Sequence, residues 1–142
     1  MVIAAEVVRV FSFAGKEVAA LPASPGAPIG ISGGEGGGPV FLIDADWSIR
    51  VVDPVGWVVR ATWAGPFLDA VAVSGGLVAI DLEGRLHAGC LELAVVKELG
   101  TAETGLRDAR LAATGDGRLV ISSAGPVPVH TLTFQLHCGS GS

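Results

Sequence analysis

Apolar residues along this chain gather in short runs. Val40-Phe-Leu-Ile43, Leu77-Val-Ala-Ile80 and Leu119-Val-Ile121 are typical, each followed by Asp or Ser. Such runs read as buried strands joined by tight turns. Helical spacing is weak, because 21 Gly and 8 Pro interrupt the chain every few residues. The pattern predicts thirteen strands: Val7–Phe13, Glu17–Leu21, Ile29–Ser32, Val40–Asp44, Ser48–Val52, Val58–Thr62, Ala70–Ser74, Leu77–Asp81, Arg85–Cys90, Val95–Leu99, Ala109–Ala113, Leu119–Ser122 and Val127–Phe134. Leu91, Val95 and Leu99 recur at i, i+4 and i+8, so two turns of helix fit Leu91–Leu99 as well. Many short strands with turn residues between them suit a sandwich, a barrel or a propeller.

The chain also repeats itself. Val40-Phe-Leu-Ile-Asp44 matches Leu77-Val-Ala-Ile-Asp81, and the same offset of 37 carries Ile49-Arg50 onto Leu86-His87 and Val58-Val-Arg60 onto Val95-Val-Lys97. Phe67–Val71 matches Leu106–Arg110 at an offset of 39, Gly76–Ile80 falls on Gly117–Ile121 at 41, and Arg9–Gly15 sits on Arg50–Gly56 at 41. Each unit of about 40 residues reads strand, Gly-rich turn, strand, Asp-and-Gly turn, strand, Gly turn, strand. This pattern resembles a four-stranded β-propeller blade of the broad WD40 and quinoprotein-like class. The resemblance implies an all-β partial propeller with a half blade at 7–21, blades near 27–66, 67–105 and 106–136, and a flexible tail or expression remnant at 137–142. It implies an interaction scaffold rather than an enzyme. Closed propellers have about four to eight blades, so an arc of about three implies completion by a second copy or by a different propeller protein.

Charge narrows the partners. A net charge of -5 makes a phosphate-tracking surface improbable, which argues against nucleic acid and against an anionic membrane. No apolar stretch nears the roughly 20 residues of a membrane-spanning helix. Two cysteines, Cys90 and Cys138, are too few for a disulfide-stapled domain and read as thiols. Met1–Val10 carries Glu6 and Arg9 and does not read as a signal peptide. A cytoplasmic protein is the expectation.

Candidate chemistry is sparse. His87 and Cys90, with His137 and Cys138, supply zinc-type donors, but positions 87 and 90 of one strand point to opposite faces. Asp44, Asp46 and Asp53 lack the rest of a calcium loop and read as turn caps, as do Asp81 and Glu83 at the repeat positions. Asp69 and Asp108 read as turn-fixing groups at the heads of innermost strands. Gly33–Gly38 lacks the Lys-Ser/Thr ending of a phosphate loop, and no Gly-x-Ser-x-Gly elbow occurs. We therefore expect no catalytic activity, no cofactor and no metal. The tryptophans carry the functional signal, since Trp is enriched at interface hot spots. Trp47 falls in a turn between second and third strands and Trp63 follows a fourth strand; in a propeller these turns open on one face, and Trp57 faces the opposite rim. The expected partner-binding residues are Trp47 and Trp63, with Arg50 and Arg60 as polar companions. The expected function is a non-catalytic scaffold for protein–protein interaction and self-assembly. In general character the chain is similar to Gly- and Ala-rich bacterial propeller modules that work beside MoxR-type ATPases and von Willebrand A domains. The alternative is a small-ligand or carbohydrate-binding, lectin-like propeller.

Overall fold

A computed structural model describes residues 8–21, 28–34, 37–73, 76–92, 95–114, 118–124, 129–133, 136 and 138. Thirteen strands form among them. A hairpin, β1 (Val8–Phe11) and β2 (Glu17–Leu21), comes first. The first four-stranded blade is β3 (Gly30–Gly33), β4 (Val40–Ile43), β5 (Ile49–Asp53) and β6 (Val58–Trp63); the second is β7 (Phe67–Val73), β8 (Gly76–Asp81), β9 (Arg85–Glu92) and β10 (Val95–Glu103). The third sheet holds β11 (Arg110–Ala113), β12 (Arg118–Ser122) and β13 (Val129–Thr133). Neighbours within each unit are antiparallel, and one parallel backbone pair, Val95 with Thr62, links the last strands of the two full blades among the described residues. The residues that also fit a helix, Leu91–Leu99, belong to β9 and β10 where they are described: β-branched Val95 and Val96 pair across to Glu92 and Leu91.

Alternation along each strand decides what lies between the sheets. Phe41, Ile43, Ile49 and Val51 of the first blade face Ala70, Leu77 and Ala79 of the second, with Trp63 and Phe67 closing the core at one end. Val71, Val78, Ile80 and Leu86 leave the other face of the second blade and meet Ala109, Leu111, Leu119 and Ile121 of the third sheet. A smaller cluster, Leu42 and Val52 with Leu21, joins the first blade to the hairpin. Sheets stacked face to face, with the two full blades feeding alternate side chains into a core on either side, make this an all-β propeller arc.

The offset of 37 holds between the two full blades, since Phe41 and Val78, and likewise Ile43 and Ile80, face the following sheet. The third repeat differs. Leu119 and Ile121 face the preceding blade, as Leu77 and Ala79 do, so its offset is even and the expected 41 is one residue out. A slip of one residue turns every side chain to the other face. Polar groups cross between the sheets too. The Ser32 hydroxyl donates to the Ala70 carbonyl at 2.8 Å, and the buried Asp69 carboxylate accepts the amides of Ala70 at 2.9 Å and Leu111 at 2.8 Å.

The cysteines depart from expectation. Cys90 and Cys138 are disulfide-bonded, with 5.3 Å between their Cα atoms. Cys90 lies on the third-sheet side of β9, and Leu136 packs on the same core, so the chain beyond β13 crosses back to the second blade. Cys138 is thus tied down rather than part of a free tail. The neighbouring His137 lies outside the described residues.

Candidate partner-binding face

The turns between second and third strands and the loops leaving the fourth strands share one rim. In the first blade the Trp47 carbonyl accepts the Phe67 amide at 2.7 Å; in the second the Gly84 carbonyl accepts the Thr104 amide at 3.2 Å. Turn and loop are thereby locked together in both blades. Gly84 has φ 87°, and a Cβ there would lie 2.0 Å from the Leu106 carbonyl oxygen, so glycine is required twice over. Trp47 takes the equivalent position in the first blade with φ 65°, a left-handed conformation that costs a bulky residue about 1–2 kcal/mol. Room for it comes from Gly65, where a Cβ would fall 2.0 Å from the Trp47 carbonyl oxygen.

Trp47 is half-buried, packed on the edge of the inter-blade core and bordering a cleft of about 520 Å³ with Ile31, Leu68, Asp69 and Arg110. A second cleft of about 480 Å³ opens beyond Gly65, bordered by Phe67, Asp81, Glu83 and His87. At its base the His87 ring nitrogens face two carboxylates: Nε2 lies 2.9 Å from Asp81 Oδ2, and Nδ1 contacts Glu98 Oε1. His87 also packs edge-on against Phe67 and Trp63, at centroid distances of 5.1 and 6.3 Å. Burial works against the charge on Asp81, yet hydrogen bonds from His87 and from the Arg85 and Glu83 amides outweigh it and hold the carboxyl below its usual range. The Ser48 hydroxyl and amide do the same for Asp46.

The four expected partner-binding residues do not form one patch. Trp63 is 8% exposed and stacks on Phe67 at 4.6 Å, inside the core. Arg50, 6% exposed, is paired through Nε and Nη2 with Asp44 at 3.0 and 2.9 Å. Arg60 is exposed but belongs to the opposite rim, where it meets Asp53 at 3.2 Å. Of the four, Trp47 alone reaches solvent on the expected face. Asp46, Asp53 and Asp81 cap turns through backbone amides, but Asp44 serves as the buried counterion of Arg50. The sequence reading missed that Asp44–Arg50 and Asp81–His87 are one motif. The offset of 37 that aligned the strands aligns both acids and both bases, and that was the available signal. His87 and Cys90 lie on opposite faces of β9, one on the aromatic side and the other bonded to Cys138. Of the glycine-rich stretch Gly33–Gly38, residues 35 and 36 lie outside the described residues.

No family model matches this chain, and neither does any curated protein. Solved structures do. The WD40 β-propeller domain of Doa1 superposes with a TM-score of 0.61 at 13% identity, over 82% of this chain and 40% of that one. AztD from Citrobacter koseri gives 0.59 at 15% identity over 89% and 38%, and BamB from Moraxella catarrhalis gives 0.54 at 15% over 89% and 44%. At such identities the likeness establishes the fold: a β-propeller-like arc spanning less than half the length of each relative.

Proposed function

We propose that this chain is a non-catalytic propeller scaffold that binds a protein partner on the rim around Trp47. A strained, half-exposed tryptophan between two clefts, at a position where the next blade has glycine, is the observation that carries this reading. The likeness to a WD40 β-propeller domain agrees with an interaction scaffold in general. Trp47→Gly tests the binding role, because it relieves the backbone while removing the ring. A partner cross-linked to the wild type in its source cells and lost with Trp47→Gly, at unchanged melting temperature, supports the reading. Equal recovery with both proteins contradicts it.

Assembly is part of the proposal. The sequence suggested a homo-oligomer, and both terminal units have fewer than four strands among the described residues, which supports completion from outside the arc. The mass in solution over a micromolar dilution series tests self-association: a persistent dimer supports it, and a monomer throughout contradicts it. For localisation we propose an oxidising compartment instead of the expected cytoplasm, because reducing thiol pools would open the Cys90–Cys138 bond. Alkylation of the protein in its source cells tests this, with both thiols blocked from labelling as the expected result.

A further inference from the structure

The two full blades differ at one acid–base motif. In the first, Arg50 is paired with Asp44, six residues before it, and both side chains are buried. A guanidinium keeps its charge at any pH the fold meets. The offset of 37 places His87 and Asp81 at those positions and sets Glu98 where the first blade has buried Ala61. The second blade thus holds three titratable groups where the first holds a carboxylate, a permanent cation and a methyl group.

The contacts of His87 set a proton count. Its Nε2 lies 2.9 Å from Asp81 Oδ2, and its Nδ1 contacts Glu98 Oε1. A neutral imidazole has one N–H and one lone pair, and an ionised carboxylate only accepts. Both contacts are hydrogen bonds when the cluster holds one proton more than a neutral ring between two carboxylates. The other groups around the ring leave that proton to the cluster. Arg85 is turned to Glu103 at 2.6 Å, and Glu83 borders the cleft as a further acid. The side toward the first blade offers the rings of Trp63 and Phe67 with uncharged Ala64, Gly65 and Pro66. The two carboxylates are held unequally. Asp81 also accepts the Glu83 and Arg85 amides at 2.8 and 2.9 Å, whereas the Glu98 side chain is 44% exposed and extends from an outer strand exposed along nearly all its length. Beside Glu98 the ladder to β9 shifts register and leaves Leu99 out, and such a bulge disrupts the pairing locally.

We propose that Asp81, His87 and Glu98 form a proton-dependent latch at the cleft beyond Gly65. With the additional proton bound, the cluster makes both hydrogen bonds and clamps β10, at its bulge, to the turn between β8 and β9. Once rising pH removes that proton, one ring nitrogen presents a lone pair to a carboxylate; the exposed Glu98 leaves, and Asp81 stays on its two amides. The latch therefore closes as pH falls and opens as pH rises, and strong acid ends it by protonating the carboxylates. It goes beyond the partner-binding reading and does not rest on Trp47.

Nuclear magnetic resonance of the full chain from about pH 5 to about pH 9 tests the latch. One proton should leave the cluster in a single step, seen together at the His87 ring nitrogens and the Glu98 carboxyl carbon. Through that step the protection of amides 97–102, taken relative to their intrinsic exchange, should fall about threefold, while that of β4 and β5 holds. Glu98→Gln should keep the ring titration and lose the step in protection, because a side-chain amide donates to a bare nitrogen as readily as it accepts from an N–H. The substitution lies on an exposed strand, so the variant folds. A His87 ring that carries one proton between two ionised carboxylates throughout overturns the latch. So does protection of 97–102 that ignores the ring titration, or the same step in Glu98→Gln.

Discussion

The two ends of the arc are finished differently. At the C-terminal end the third sheet sets four buried residues, Ala109, Leu111, Leu119 and Ile121, into a core with the second blade; Asp69 bridges the sheets through two amides, and a disulfide straps the chain back to β9. Its outward face mixes Arg118, Ser122, Thr131 and Thr133 with Ala112, Val120 and the exposed Val129. At the N-terminal end a two-stranded hairpin contributes one fully buried side chain, Leu21, to a small cluster. Phe11, Phe13 and Val18 on that hairpin are exposed. An isolated two-stranded hairpin is marginal in water, so the contrast teaches which end of the arc its own packing secures and which depends on a small cluster.

Opening the strap should have the largest effect. Cys138→Ser removes a crosslink spanning 48 residues, worth about 4 kcal/mol on the chain-entropy account. Urea unfolding should register the loss, and amide exchange should locate it in β11–β13, leaving β1 and β2 as they were. Asp69→Ala comes next, since it leaves the buried Leu111 amide without its acceptor at a cost of about 2 kcal/mol. Here too the third sheet should loosen first, and Asp69→Asn should restore part of the stability.

Acid reaches the second blade and spares the contrast. The Asp81 carboxyl is held below its usual range, so its contribution is present above about pH 4, the unfolded carboxylate value, and is lost as pH falls through the lower folded value. Melting temperatures measured from pH 7 down to pH 3 should fall less steeply in Asp81→Asn than in the wild type. Smallest of all is Phe13→Ser. The ring is fully exposed, so stability should change by less than about 0.5 kcal/mol, checked by the same urea titration.

Much of this architecture is legible in the chain. Alternation and turn residues locate the strands, and one offset aligns two blades because Asp44 and Asp81 punctuate apolar runs of equal length. The third repeat slips because Leu119, Val120 and Ile121 are all apolar: without a polar residue among them, nothing local says which two face the core. Trp63 reads as a surface residue because it follows the expected strand Val58–Thr62, yet β6 runs through it and it shares its face with buried Ala61, two residues before. Arg50 was hidden by a different limit, since a buried charge is recognisable only with its counterion, six residues away across a turn. The disulfide could not be read from spacing, because a bond needs Cα atoms within about 7 Å and only the crossing back to β9 provides that.

Amide exchange of the oxidised wild-type protein, resolved by residue, tests the unequal ends most directly. Slow exchange in β11 and β12, comparable with that in β4 and β8, together with fast exchange throughout β1 and β2, is the expected result. Protection of the hairpin equal to that of β8, with the third sheet exchanging first, would contradict the account.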